Sequence, residues 1–200
     1  MGTRKFFAVS DPDTRPYGLL TALVVPRPIA WVSTVSADGI GNLAPHSFFT
    51  VASAHPPVVQ FTSVGAKDTL ANVLATGEFV VNLASRPLME QVNQTSAPYR
   101  LGVDEAAAVG VATEPSELVR PYRVVDSPSS IECVLHSTIE VGDSTIVLGS
   151  VEAITVRAEV LVDGRPDFDR LEAVSRLGGQ QWGLPPEVVT LERPLAPPPG

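Results

Sequence analysis

Cysteine is almost missing: Cys133 stands alone among 200 residues. A single cysteine cannot close an intrachain disulfide, and its apolar neighbours mark a buried thiol. Long hydrophobic runs are missing too, since no stretch approaches the ~20 apolar residues that a membrane-spanning helix needs. Near the start, Asp11, Asp13 and Arg15 soon interrupt the apolar residues that follow Arg4 and Lys5, which is not the pattern of a signal peptide. A cytoplasmic location is the expectation. Basic charge is scarce: 14 Lys and Arg against 22 Asp and Glu give a net charge of −8. That balance argues against a nucleic-acid partner and against an anionic membrane. The three histidines and one cysteine have no metal-ligand spacing, so no metal site is expected. No GxGxxG occurs, so a Rossmann nicotinamide domain is excluded.

What is present is a core. Hydrophobic residues make up 44% of the chain, enough for a folded globule. One domain is expected over 1–193, followed by a Pro-rich tail over 194–200. Tyr17 to Val25 is a short apolar segment that is helix or strand by periodicity alone. Strands are expected at Ile29–Ser36, Val58–Val64 and Glu78–Ala84, with a hairpin from Ser130–Val141 and Ser144–Val156. On the first hairpin strand Ile131, Cys133, Leu135, Ser137, Ile139 and Val141 share one face, and Glu132, His136 and Glu140 the other. Short helices are expected at Thr69–Ala75, capped by Asp68 and stopped by Gly77, at Pro87–Gln94 and near Asp104–Val109. Roughly six strands with short inserted helices imply one mainly β, barrel-like domain.

The segment from Pro26 to Thr69 holds the chemistry. Asp38-Gly39 supplies a tight turn between two strands. Gly41 to Ala44 starts the return strand, and Pro45 is expected to break its pairing, leaving N–H groups near His46 and Ser47 free. Ser33, Thr34, Asn42, His46, Ser47, Ser63, Lys67 and Thr69 are spread over this segment. Small polar groups around strands, with a helix start carrying one ammonium and one hydroxyl, suit a planar phosphorylated ligand.

At these residues the chain resembles the flavin reductase-like family, whose fold is an FMN-binding split β-barrel. The pieces that carry the resemblance occur in the family's order: PRPIAWVST (26–34), NLAPHSFF (42–49), KDTLANV (67–73), EFVVNL (78–83), NQTSAPY (93–99), VDEAAAVG (103–110) and LGG followed by Trp182. The resemblance implies an α+β, mainly β fold, a homodimer, and FMN (or FAD) bound near the dimer interface. It also implies NADH or NADPH as co-substrate and, in many members, a partner monooxygenase that receives reduced flavin. Other members keep the flavin as an electron carrier or act on their own small substrate.

Carried over residue by residue, the family's NxAPxS pattern falls on Asn42, Ala44, Pro45 and Ser47, a loop expected against the flavin ring. Ser33 and Thr34 fall by the ribityl and ring region. Lys67 and Thr69, with Ser63, fall at the phosphate, and Arg27 is a second candidate for that charge. Asp68 is an awkward neighbour for a phosphate and is read as the helix cap. No catalytic residue is identified; His46, Ser144 and Trp182 are the candidates near the flavin. His46 stands where many relatives have Phe and is expected to titrate near neutral pH. Ser144 replaces a His common in the family's GDHT pattern, which bears on nicotinamide turnover. Trp31 is expected in the core, Asn82 as a structural amide, and His55 and His136 at the surface.

Overall fold

The computed structural model describes residues 2–194; apart from Pro194, the tail expected over 194–200 lies outside the described residues. Of the segment Tyr17–Val25, residues up to Leu23 resolve as helix and Val24 and Val25 lie beyond it. α1 (Pro16–Leu23) has proline in its first turn, where the missing N–H costs nothing, and ends as Val24 N–H donates to Leu20 O. The chain then forms β1 (Ala30–Val35), β2 (Gly41–His46), β3 (Phe49–Ser53), β4 (Val58–Val64), α2 (Asp68–Thr76), β5 (Glu78–Leu83), α3 (Met89–Gln94), α4 (Glu105–Val109), β6 (Ser129–Val141), β7 (Ser144–Val156) and α5 (Phe168–Leu171). The strands make one seven-stranded antiparallel sheet in the order β2-β1-β5-β6-β7-β4-β3. β3 was not foreseen; Phe49–Ser53 lies in what the sequence offers as a loop.

The sheet is not hydrogen-bonded into a closed barrel. Its edge strand β2 comes back against β4, and the His46 side chain spans that seam, with Nδ1 3.4 Å from Thr62 O. Proline at position 45 does not end β2, as had been expected from its missing N–H: Pro45 stays in register opposite Trp31, and His46 opposite Ala30. An edge strand tolerates proline because only one side needs N–H donors.

Both faces of β1 are covered, as its pattern suggests. Ala30 and Val32 point into one cluster with Phe61, Phe79, Cys133 and Val147. Ile29 and Trp31, of opposite parity, join Leu43, Leu88, Val92 and Val174 in the other. Trp31, Phe61 and Phe79 are fully buried, each stabilising the fold by roughly 2–3 kcal/mol through burial. The second cluster lies where α3, α4 and a small ribbon of Arg27–Pro28, Ser175–Arg176 and Trp182–Gly183 cover the sheet. Asn82 is the structural amide expected: it donates to Trp31 O and Ser33 Oγ and accepts from Val124 N–H and Ser130 Oγ.

Two sequence expectations are corrected here. Asp68 does not cap α2; Lys67 is the N-cap residue, in extended conformation, and no side chain caps the helix. Asp68 lies one residue inside, where a carboxylate still complements the helix dipole. The clean alternation of β6 also fails. Glu132 is fully buried and accepts from Glu117 N–H and Leu118 N–H, while Ile139 and Val141 are exposed at the far end of the hairpin. Register shifts at Leu148/Gly149 and Val151/Ala153 move side chains across the faces, and no alternating pattern anticipates a bulge. Among the described residues, no helix is long and apolar enough to cross a membrane.

Candidate functional site

β2 ends beside the start of α2, and the space between them is a cavity of about 360 Å³. Asn42, Ala44, Pro45 and His46 form one wall, Lys67, Asp68 and Thr69 a second, and the 95–99 loop with Glu105 closes it. A second cavity of about 190 Å³ adjoins it, since Pro45 and Ser96 line both. Ile29, Ser47, Arg176 and Trp182 face this second space. A further cavity of about 360 Å³ lies under the β1–β2 turn; its lining includes Asp38 and Asp68 and no basic residue, a charge balance that disfavours an anion.

A buried polar chain supports the first cavity. The Glu105 carboxylate accepts from Asn42 Nδ2 at 2.9 and 3.0 Å and from Leu43 N–H at 2.8 Å. With its amide nitrogen so held, Asn42 turns Oδ1 toward Thr34 and Thr69, accepting from their hydroxyls at 3.2 and 2.9 Å. Asn72 Nδ2 donates to Thr34 Oγ1. Burial pushes the Glu105 carboxyl above its ordinary range, against the opposing effect of the Leu43 and Asn42 hydrogen bonds. Asp104 caps α4 by accepting from Ala106 N–H and Ala107 N–H, and Tyr122 OH donates to the same oxygen at 3.1 Å. Gly41 is required for this close approach: a Cβ there would sit 2.5 Å from Asp104 Oδ2 and 2.7 Å from Tyr122 Cε1.

The residues singled out in the sequence separate into groups. Asn42, Ala44, Pro45, His46, Lys67 and Thr69 line the first cavity. Ser47 and Trp182 line the second. Ser33, Thr34 and Ser63 line neither and are fully buried: Ser33 Oγ donates to Tyr122 O, Thr34 supports Asn42, and Ser63 Oγ donates to Gly65 O. Arg27 is not free to meet a phosphate. Its guanidinium donates to Thr21 O, Val24 O, Leu177 O and Ser47 Oγ. Ser144 is the first residue of β7 and lines neither cavity; its hydroxyl donates to Asp143 Oδ1, and Asp143 O accepts from Gly65 N–H at the loop that leads to α2. Trp31 is in the core, with Nε1 donating to Thr95 Oγ1.

His46 departs from its expected titration. Burial, then the charge of Lys67, pushes its pKa down to about 4, against the raising effect of Thr62 O, so the ring is neutral at neutral pH. It packs against Phe61 with centroids 4.7 Å apart, and its Nε2 has no hydrogen-bond partner. Glu105, Thr95, Ser96, Tyr99 and Arg176 were not foreseen. Asp104 is legible as a cap, but nothing in the chain signals that Glu105 would reach Asn42 across 63 residues.

The cavity fits a phosphorylated flavin. The first-turn N–H groups of α2 have no intrahelical partners, no side chain caps them, and Lys67 and Thr69 stand beside them. An uncapped helix start with an adjacent ammonium is a site for an anionic tail. Asn42, Ala44, Pro45 and His46 of β2 form the facing wall, against which a ring can lie.

Comparison with known proteins agrees. Residues 22–172 match the family model described as flavin reductase like domain. An uncharacterized protein of Aquifex aeolicus (strain VF5) is 37% identical over 179 residues, 86% of this chain and 91% of that protein. The structure of 2-nitrobenzoate 2-nitroreductase from Pseudomonas fluorescens superposes with a TM-score of 0.89 at 30% identity, covering 97% of this chain and 98% of that one. Nitrilotriacetate monooxygenase component B from Bacillus cereus superposes with a TM-score of 0.88 at 27% identity, covering 94% and 100%. The mainly β fold with an open sheet, the cavity between β2 and α2, and a family match over most of the chain lead to one assignment: this chain belongs to the flavin reductase-like domain family.

Proposed function

We propose that this protein binds FMN in the cavity between β2 and the start of α2 and acts as an NAD(P)H-dependent flavin reductase. One observation carries the reading: the uncapped start of α2, with Lys67 and Thr69, opens into the same cavity as the Asn42–His46 wall. Bound there, a flavin supplies the means to accept two electrons from a reduced nicotinamide and pass them on. Lys67 and the α2 N–H groups would hold the phosphate, and FAD would be held by the same groups. Asn42, its amide locked by Glu105, would present a fixed edge to the ring region, and Pro45 would separate the flavin from the second cavity.

Reduced flavin leaving such a site would serve a separate monooxygenase. Similarity to nitrilotriacetate monooxygenase component B of Bacillus cereus supports that partner. A homodimer accounts for exposed apolar side chains: Leu20, Leu23 and Val24 around α1, and Ile139 and Val141 at the hairpin end. The test is spectroscopic. FMN-loaded protein, mixed with NADH or NADPH without air, is expected to lose its visible flavin absorbance. If added FMN does not accelerate NADH or NADPH oxidation, the reading is wrong.

A second reading is a flavoenzyme that reduces its own small substrate. It is favoured by the 30% identity, over nearly the whole chain, to 2-nitrobenzoate 2-nitroreductase of Pseudomonas fluorescens. Non-exchanging FMN and slow nicotinamide oxidation that quickens with a small acceptor would select it.

A further inference from the structure

Arg27 and Arg176 face each other across the small ribbon, paired Cα to Cα, and Arg176 is paired in turn with Trp182. Like charges placed directly opposite on neighbouring strands destabilise the pair. Burial first, and then the charge of Arg176, lowers the pKa of Arg27. Among the described residues neither arginine forms an ion pair. The two differ in how they are used. Arg27 is buried and its donors go to carbonyls and Ser47. Arg176 has one recorded bond, from Nη2 to Gly179 O at 2.9 Å, and its guanidinium lies 5.0 Å from the centroid of the Trp182 ring. Both Arg176 and Trp182 line the second cavity, with Ile29 and Val92 as apolar wall and Asn93 and Ser96 as polar rim.

On a chain of net charge −8, Arg176 lines a cavity with no carboxylate in its wall, beside a second cation, Arg27, whose own donors are already used; a guanidinium so placed indicates that an anion belongs there. Pro45 and the Trp182 ring both line this space, and such flat side chains suit a planar ring. A guanidinium held by stacking on indole keeps N–H donors free for an oxyanion.

We infer that the second cavity is the subsite of a planar co-substrate bearing an anionic group, carboxylate or phosphate, which Arg176 binds while the ring lies against Trp182. This deepens the flavin-reductase reading and rests on it, because Pro45 and Ser96 form the common wall between that ring and the proposed flavin. Arg176 then selects among co-substrates by charge, a role separate from flavin binding at Lys67.

The full chain is titrated with benzoate and with its neutral isostere benzamide, without flavin and again with FMN, following tryptophan emission. Trp31 is fully buried, so Trp182 reports. Benzoate is expected to bind about tenfold more tightly than benzamide, the size of one charge-assisted contact. The preference should vanish in R176Q and largely persist in R176K, with folding of each variant checked by circular dichroism. KM for NADPH and NADH identifies the source of the anion. A rise in R176Q confined to NADPH indicates a donor phosphate; a lost benzoate preference with both KM values unchanged indicates an acceptor carboxylate. Equal affinity for benzoate and benzamide in the unaltered protein, or a preference that survives in R176Q, overturns the inference. Benzoate preference in a protein that fails to bind FMN would leave the subsite standing and remove the flavin reading instead.

Discussion

Glu105 and Asn42 are joined by two contacts, the carboxylate oxygens lying 2.9 and 3.0 Å from the same amide nitrogen. This pairing decides which way the amide faces, and so which atom of Asn42 is left for Thr69 and for any ligand beyond it. Replacing Glu105 with alanine would strand Asn42 Nδ2 and Leu43 N–H in a buried setting. The expected cost is about 1–3 kcal/mol of stability, read by thermal unfolding, with weaker flavin binding read by fluorescence quenching. An unchanged melting temperature would show that the pairing is incidental.

Lys67→Ala is expected to weaken FMN binding about tenfold, as loss of one charge-assisted contact does, and to leave riboflavin, which lacks the phosphate, unaffected. Quenching titrations with both flavins check this. An equal loss for both would move Lys67 away from the phosphate.

His46 makes stability depend on acidity. Its folded pKa is about 4, below the ordinary 6.5, so between these values the unfolded chain binds more protons than the folded one. Stability should therefore rise with pH across this window, and acidification from pH 6.5 to pH 4 should cost up to about 3 kcal/mol. In His46→Phe, which keeps a ring against Phe61, this part of the dependence should disappear. Urea midpoints at pH 7 and pH 4.5 for the two proteins give the comparison.

Gly41→Ala tests the packing under α4. Its Cβ would press on Asp104 and Tyr122, and overpacking of this kind costs about 1–3 kcal/mol. A variant as stable as the parent would mean that α4 moves aside freely.

Cys133 is buried, and burial pushes its thiol up to about 12. The folded protein should not react with a thiol reagent at pH 8, and one thiol should react once urea unfolds it. Fast labelling without denaturant would indicate local opening of β6.

Much of this architecture is legible in the chain because its signals are local. Val58–Val64 begins and ends as a strand where its flanking Pro-Pro and Gly-Ala indicate, and Gly77, at φ 74°, stops α2. What escaped depends on distant partners. Ser33, Thr34 and Ser63 are small polar residues on strands, like many pocket residues, and only tertiary packing committed their hydroxyls to the interior. Arg27 reads as a free cation until the carbonyls of α1 and Leu177 close around it. Glu132 reads as surface, yet it holds the 117–118 loop from beneath. The cap of α2 shifted by one residue because Lys67 stays extended, a choice that the backbone makes and side-chain type does not dictate.

β2 carries the proposed ligand wall on the rim of the sheet, with β1 as its one hydrogen-bonded neighbour. Substitutions at Ala44 or Pro45 therefore disturb a single ladder, and the other six strands keep their alignment. Such a scaffold can change its chemistry by altering one border while its interior stays fixed, which gives related chains room to diverge in what they accept without having to refold.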